Sequence, residues 1–259
     1  MRSFFSSAAA MLTQLCIPVC YTGKAKVGAA FGEDVLDIPE DQFPEKLILD
    51  IKAAKLLQEK GWDLGIESIA PWDPPAMEVY ELSDGTTEYI APHNSGLGLF
   101  PGMHCGYFDV QLDGSATILS RFTYHDKDRP SSCIVRKGNT EFFILLFDAA
   151  ALGQSCSVEC SYSRQRQLME FIGNAYPAVK NEAGIYSLCK ESADGKKMAV
   201  LLENLSYDTL FDFDIELDGS WDCASLYGAA GTLSLDKTRI SVTTDLPSGG
   251  ALVLELNRE

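Results

Sequence analysis

Leu47-Ile48-Leu49-Asp50-Ile51-Lys52-Ala53-Ala54-Lys55-Leu56-Leu57-Gln58-Glu59-Lys60-Gly61-Trp62 reads as a buried strand, a cap, a helix and a stop. Leu47 to Leu49 form a short apolar run. Asp50 is suited to accept from the free N–H groups of a first helical turn, and its charge suits the positive helix end. Ile51, Ala54 and Leu57, with Ala53 and Leu56 beside them, recur at helical spacing and make one buried stripe. Lys52, Lys55, Glu59 and Lys60 take the wet side. Gly61 is the expected left-handed residue after the last turn. A strand feeding directly into such a helix is α/β construction. Asp50 is read here as a cap rather than a catalytic acid.

Upstream, Ser3 to Leu15 is read as an amphipathic helix, followed by Ile17-Pro18-Val19 as a strand. The alternative is a signal peptide, but Ser6, Ser7, Thr13 and Gln14 interrupt the apolar stretch. Ala25 to Phe31 is a second strand candidate, and Asp34 to Asp41 is acidic and turn-like. Downstream, Pro71-Trp72-Asp73-Pro74-Pro75 is excluded from regular structure, because proline lacks a donor and fixes φ. Met77 to Leu82 and Thr86 to Ile90 flank Ser83-Asp84-Gly85, a hairpin signal. His93 to Gly106 is a glycine-rich loop. Ala116 to Tyr124 and Glu141 to Phe147 read as strands, the second apolar throughout, as a strand buried on both faces should be. Ser163 to Ala175 is a helix with Leu168, Phe171, Ile172 and Ala175 inward, stopped by Pro177.

The tail changes character. Ile185–Lys190, Lys197–Asn204, Phe211–Leu217, Trp221–Tyr227, Thr232–Leu235, Arg239–Thr244 and Gly250–Leu256 are short strand candidates separated by turns. Such strands with no helix between them predict an antiparallel sandwich. The expected domains are therefore 1–180, α/β with hairpin insertions, and 181–259, a small all-β sandwich.

The chain has 259 residues, 46% of them hydrophobic, which supports a proper core. Its formal charge of -16 repels phosphate backbones and anionic bilayers, so neither a nucleic-acid nor a membrane partner is expected. Eight cysteines are present with no C-x-x-C spacing. They read as small buried hydrophobes in a reducing compartment, which points to the cytoplasm.

The motifs of chemistry are thin. Gly96, Gly98 and Gly102 miss the G-x-G-x-x-G spacing by one residue. G-x-S-x-G and H-E-x-x-H are absent, and the three histidines, His93, His104 and His125, are scattered. No metal site, cofactor or catalytic residue is assigned. Trp72, His93 and His104 are the candidate carbohydrate-binding residues, because an indole stacks on sugar rings and loops gather binding groups. Trp221 is read as sandwich core. A thiol hydrolase using Cys105 or Cys133 with His104 or His125 is a further alternative, and it needs a thiolate of lowered pKa.

Asp50-Ile51-Lys52-Ala53-Ala54-x-x-Leu57-x-x-x-Gly61 resembles the "LLDgkAAexLxxrG" segment of the glutamine-amidotransferase-like domain in bacterial glycoside hydrolases of the β-galactosidase type. Met11-Leu12-Thr13-Gln14-Leu15-Cys16-Ile17-Pro18-Val19 resembles the preceding helix and "LGIPV". Ser120-Arg121-Phe122, Gly138 to Asp148 and Ser163-Arg164-Gln165-Arg166-Gln167-Leu168 follow in the same order. Leu202-Glu203-Asn204-Leu205-Ser206-Tyr207-Asp208 resembles the "NLSxDxxxdl" segment of the closing β-domain. The resemblance implies a flavodoxin-like, class I amidotransferase-like domain followed by a β-sandwich. It further implies a catalytic (β/α)₈ barrel N-terminal to this region, for which this sequence leaves no room. The chain is then expected to be a non-catalytic accessory part of a glycosidase. It would support oligomerisation and active-site access, with a second copy or a barrel domain as partner.

Overall fold

The computed structural model describes residues 7–15, 17, 26–72, 77–81, 87–90, 108–149, 162–173, 178–180, 185–217 and 219–258. The chain divides into two compact units, Met1–Met11 with Tyr21–Ser163, and Leu12–Cys20 with Arg164–Glu259. Strands dominate both. Among the described residues, no helix is long and apolar enough to cross a membrane.

In the first unit a seven-stranded sheet is built around β2 (Lys46–Asp50) and β9 (Thr140–Leu145). β1 (Val27–Ala30), β2 and β9 run parallel. The sheet continues antiparallel through β8 (Lys127–Lys137), β7 (Thr117–Tyr124), β4 (Met77–Glu81) and β5 (Thr87–Ile90). Leu47, Ile48 and Leu49 are all buried, as are Phe142 to Leu145, so the continuous apolar runs lie where both sheet faces are covered. Helix α2 (Ile51–Glu59) follows β2 directly and buries Ile51, Ala53, Ala54 and Leu57. It packs into a core with Leu47, Leu49, Cys133, Val135, Phe142 and Ile144. A separate two-stranded ribbon, β3 (Ile66–Pro71) with β6 (Phe108–Leu112), adds Ile66 and Val110 to that core. Fully burying a leucine- or phenylalanine-sized side chain stabilises by roughly 1.5–3 kcal/mol, so this layer contributes substantially to the stability of the unit.

The strand–cap–helix–stop reading holds in detail. Asp50 is fully buried, and its Oδ1 accepts from the N–H of Ala53 at 2.9 Å and of Gly32 at 2.8 Å. Gly61 has φ 98°, the left-handed conformation that ends the helix. The hairpin signal around Ser83–Gly85 is borne out by β4 pairing with β5. The acidic 34–41 stretch lies in two short 3₁₀ segments, Gly32–Asp37 and Glu40–Gln42.

Other elements differ from expectation. Helix α1 spans Ser7–Gln14 and buries Ala8, Met11 and Leu12, with Leu15 just beyond it. Of the Ile17–Val19 strand expected next, Ile17 is not in a strand, and 18 and 19 lie outside the described residues. Strand β8, Lys127–Lys137, is an element that the sequence reading does not assign, and it contains Pro130. The register shifts there, with Ser120 opposite Ser132 and Arg121 opposite Pro130. The extra residue is Ser131, and a bulge is where a strand tolerates a proline. Pro71 likewise ends β3, paired with Phe108, because the ribbon needs no donor at its end.

Helix α3 (Tyr162–Ile172) buries Leu168 and Phe171 and stops at Gly173, φ 93°, before the expected Ala175. Beyond it lies the sandwich. One sheet has the order β10 (Ala178–Lys180), β13 (Leu210–Glu216), β16 (Arg239–Leu246), β15 (Gly231–Asp236). The other has the order β11 (Ile185–Glu191), β12 (Lys197–Asn204), β17 (Ala251–Asn257), β14 (Cys223–Tyr227). Every contact in both is antiparallel. Val200, Leu202, Leu252 and Leu254 of one sheet meet Phe213, Ile215, Ile240 and Val242 of the other in one core. Trp221 is buried in it, and the Arg258 guanidinium lies 4.4 Å above its ring. The sandwich expectation, with Trp221 as core, is therefore met.

Asp50→Ala removes the helix cap and the acceptor of Gly32 together. It should lower unfolding free energy by about 2–3 kcal/mol, while Asp50→Asn, which keeps an oxygen, should lose less. Urea unfolding midpoints measure both, and an Asp50→Ala midpoint equal to that of the parent chain would refute the double role.

Candidate functional site

In open α/β sheets, ligands bind outside the carboxyl ends of parallel strands. Here those ends bring Gly32, Asp50 and Asp148 together, after β1, β2 and β9. The Ile51 N–H donates to the Phe147 carbonyl at 3.3 Å, which ties the ends of β2 and β9. The Lys52 ammonium lies 2.5 Å from Asp148 Oδ2, with the aspartate side chain 7% exposed. The hydrogen bond to Asp148 holds Lys52 above the ordinary lysine value. Burial opposes it, and the charges of Asp148 and Asp50 add to it. Lys52 is therefore an ammonium at neutral pH and supplies no amine nucleophile. This edge is an electrostatic clamp on the α2 N-terminus.

A second constellation lies on the opposite sheet face from α2. Alternation places Glu78 and Tyr80 of β4, Ser120 and Phe122 of β7, and Ser132 of β8 on that face, and all five are buried. The bulge adds Ser131, also fully buried. The Tyr80 hydroxyl donates to Glu78 Oε2 at 2.7 Å, and Ser131 Oγ donates to Oε1 at 2.5 Å. Ser120 Oγ lies 2.6 Å from Ser131 Oγ, 2.5 Å from Ser132 Oγ and 2.9 Å from Glu78 Oε1. Each hydroxyl carries one hydrogen. A relay from Ser132 to Ser120 to Ser131 to Glu78 uses one for each step and ends on the carboxylate. A buried carboxylate is tolerable only with such donors, so the cluster locks three strands in register.

Trp72 stands beside this face. Its ring centroid is 6.3 Å from that of Phe122, the residue paired with Glu78, and Phe122 is 6.1 Å from Phe147. Trp72 is partly buried. Of the three candidate sugar-binding residues, Trp72 is the one among the described residues. His93 and His104 lie outside the described residues, as does Cys105. His125 is an exposed turn residue at φ 54°, packed on Tyr124. Cys133 is free and buried in the α2 core, and burial pushes its thiol up to about 12. That is the reverse of what a thiolate nucleophile needs. Among the described residues, no three or more His, Cys, Asp or Glu side chains converge as metal ligands do.

Sequence reasoning passed over Glu78 and its hydroxyls. The available signal was the two-residue spacing of Glu78 and Tyr80 in a strand. Nothing local announces that Ser131 and Ser132, some fifty residues on, supply the donors.

The sequence matches no family model and no curated protein. Among solved structures, α-L-fucosidase isoenzyme 2 from Paenibacillus thiaminolyticus superposes with a TM-score of 0.60 at 10% identity, over 98% of this chain and 44% of that one. A β-galactosidase from Bacillus circulans sp. alkalophilus gives 0.39 at 10% identity, over 88% of this chain and 31% of that one. A cold-adapted β-galactosidase from Rahnella sp. R3 gives 0.45 at 12% identity, over 96% and 36%. At this identity the fucosidase match speaks for shared fold alone, and the two lower scores add nothing to it. The chain spans less than half the length of the fucosidase chain it superposes on.

Glu78→Ala withdraws the acceptor of Ser131 and Tyr80 and should cost about 3 kcal/mol or more of unfolding free energy. Glu78→Gln should cost less. Guanidinium denaturation provides the comparison, and a Glu78→Ala loss under about 0.5 kcal/mol would show that the cluster does not hold the strands.

Proposed function

We propose that this chain is an accessory part of a glycoside hydrolase, without hydrolytic activity of its own. The observation that carries the reading is the superposition of nearly the whole chain, both units included, on less than half of a fucosidase. The order of the sequence segments supports it, since amidotransferase-like motifs precede the closing β-domain motif as in β-galactosidase-type enzymes. The first unit then corresponds to the amidotransferase-like domain, with its parallel core reduced to β1, β2 and β9. The geometry agrees with a supporting role. Asp50, Asp148 and Glu78 are each engaged in holding strands or a helix end. The role is assembly and access to an active site carried by a barrel domain, in the same chain or a partner. The purified chain should release no aryl alcohol from nitrophenyl fucosides or galactosides. Turnover that co-purifies with the chain and vanishes in Asp148→Asn would overturn the reading.

The partly buried Trp72 favours one other reading, a carbohydrate-binding protein that uses the 71–108 region with Trp72, His93 and His104. An indole face is a stacking platform for a sugar ring. Titration with β-linked oligosaccharides should then quench tryptophan fluorescence, and Trp72→Ala should abolish the response. An unchanged spectrum across a sugar panel removes this reading.

A further inference from the structure

The outward face of the β11-β12-β17-β14 sheet carries an apolar row that the sandwich core does not use. Met198, Val200 and Leu202 of β12 and Leu252, Leu254 and Leu256 of β17 point into the core, so the alternate residues point out. The pairing register aligns those outward residues across all four strands. Leu188 pairs with Leu201, Leu201 with Val253, and Val253 with Tyr227. Four strands at ~4.8 Å spacing make this row about 14 Å long. Leu188 is 46% and Tyr227 53% exposed, at its two ends. Ala199 and Ala251, both small, flank its centre. A sheet face turned to water normally alternates to polar residues, so an apolar row across every strand marks a contact surface.

We infer that this face is where a second copy of the chain docks. Charge selects the occupant. The chain as a whole carries -16, so most approaches of two copies are repulsive. The outward positions of this sheet instead carry Lys190, Lys197, Glu203 and Glu255, and their charges cancel. The register is also self-complementary. A two-fold axis laid along the row sets each apolar residue against its own counterpart. It carries the Lys190-Ala199-Glu255 row over the Tyr186-Glu203-Ala251 row. Lys190 then faces Tyr186, Glu203 faces Ala199 and Glu255 faces Ala251, so no carboxylate lies directly opposite another, and Glu203 of one copy lies one strand from both Lys190 and Glu255 of the other. Face-to-face stacking of two sheets is an ordinary packing mode. The apolar row is short, so the association is expected to be reversible and concentration-dependent.

This deepens the assembly role proposed above by naming its surface. Sedimentation velocity on the full chain, over about a hundredfold range of concentration, should show one copy passing to two. Leu188→Glu and Tyr227→Glu place acids on exposed ends of the row. Each should weaken the association about tenfold or more while leaving the urea midpoint unchanged. Phe211→Glu, at a 57% exposed position on the other sheet, should leave it intact. A parent chain that stays a single copy throughout overturns the inference, and so does a dimer indifferent to both row variants. An inactive single copy defeats this inference and leaves the accessory reading standing. A dimeric chain with its own glycosidase turnover does the reverse.

Discussion

The carboxylate of Asp50 is the joint on which the first unit turns. One buried oxygen accepts from Ala53, which starts α2, and from Gly32, which follows β1. The same residue ends β2, so a single acceptor fixes where two parallel strands stop and where the covering helix begins. A helix start leaves N–H groups that must find partners, and a buried one cannot use water. With that demand met inside the fold, α2 lies across β2 and β9 and closes the core. Lys52 then carries a positive charge to Asp148 beyond β9, which adds the third parallel strand to the same edge.

The other half of that sheet is held differently. β4, β7 and β8 are antiparallel, and on the face away from α2 they meet through polar atoms. A bulge at Ser131 swings an extra hydroxyl toward Glu78, and the serines form a chain of donors that ends on its carboxylate. Such a network specifies register sharply, because sliding any strand by one residue would turn its hydroxyl to the other face. The cluster and the Asp50 joint thus do the same work by opposite means, buried polarity on one face and a capped helix on the other. Both place carboxylates in structural service.

The sandwich shows how register makes a surface. Its inner residues are chosen by burial, and the outer ones are left to whatever the face must meet. On the sheet containing β13 and β16 polar outer residues pair with one another, Asp214 accepting from Ser241 and paired with Arg239, while Phe211 is exposed. On the sheet containing β12 and β17 one outward row, Leu188-Leu201-Val253-Tyr227, is apolar across all four strands, between rows that carry lysines and glutamates. Those charges balance on this face within a strongly acidic chain.

Local chemistry was enough to read the cap at Asp50, the stop at Gly61, the hairpin joining β4 to β5 and nearly every strand of the tail. Each of these follows from a side chain acting within a few residues of itself, through a hydrogen bond, a left-handed φ or a two-residue alternation. What the chain alone left unread were β3, β6, β8 and β10, and with them the Glu78 cluster and the row on the outer sheet face. Pro71 and Pro130 disguise their strands, since a proline is excluded from a strand unless an edge or a bulge receives it, and edges and bulges exist only between strands. Glu78 meets Ser131, and Leu188 meets Leu201 and Tyr227, because pairing brings distant segments side by side. Tertiary structure decided those meetings, for register is a relation between strands and no single segment contains it.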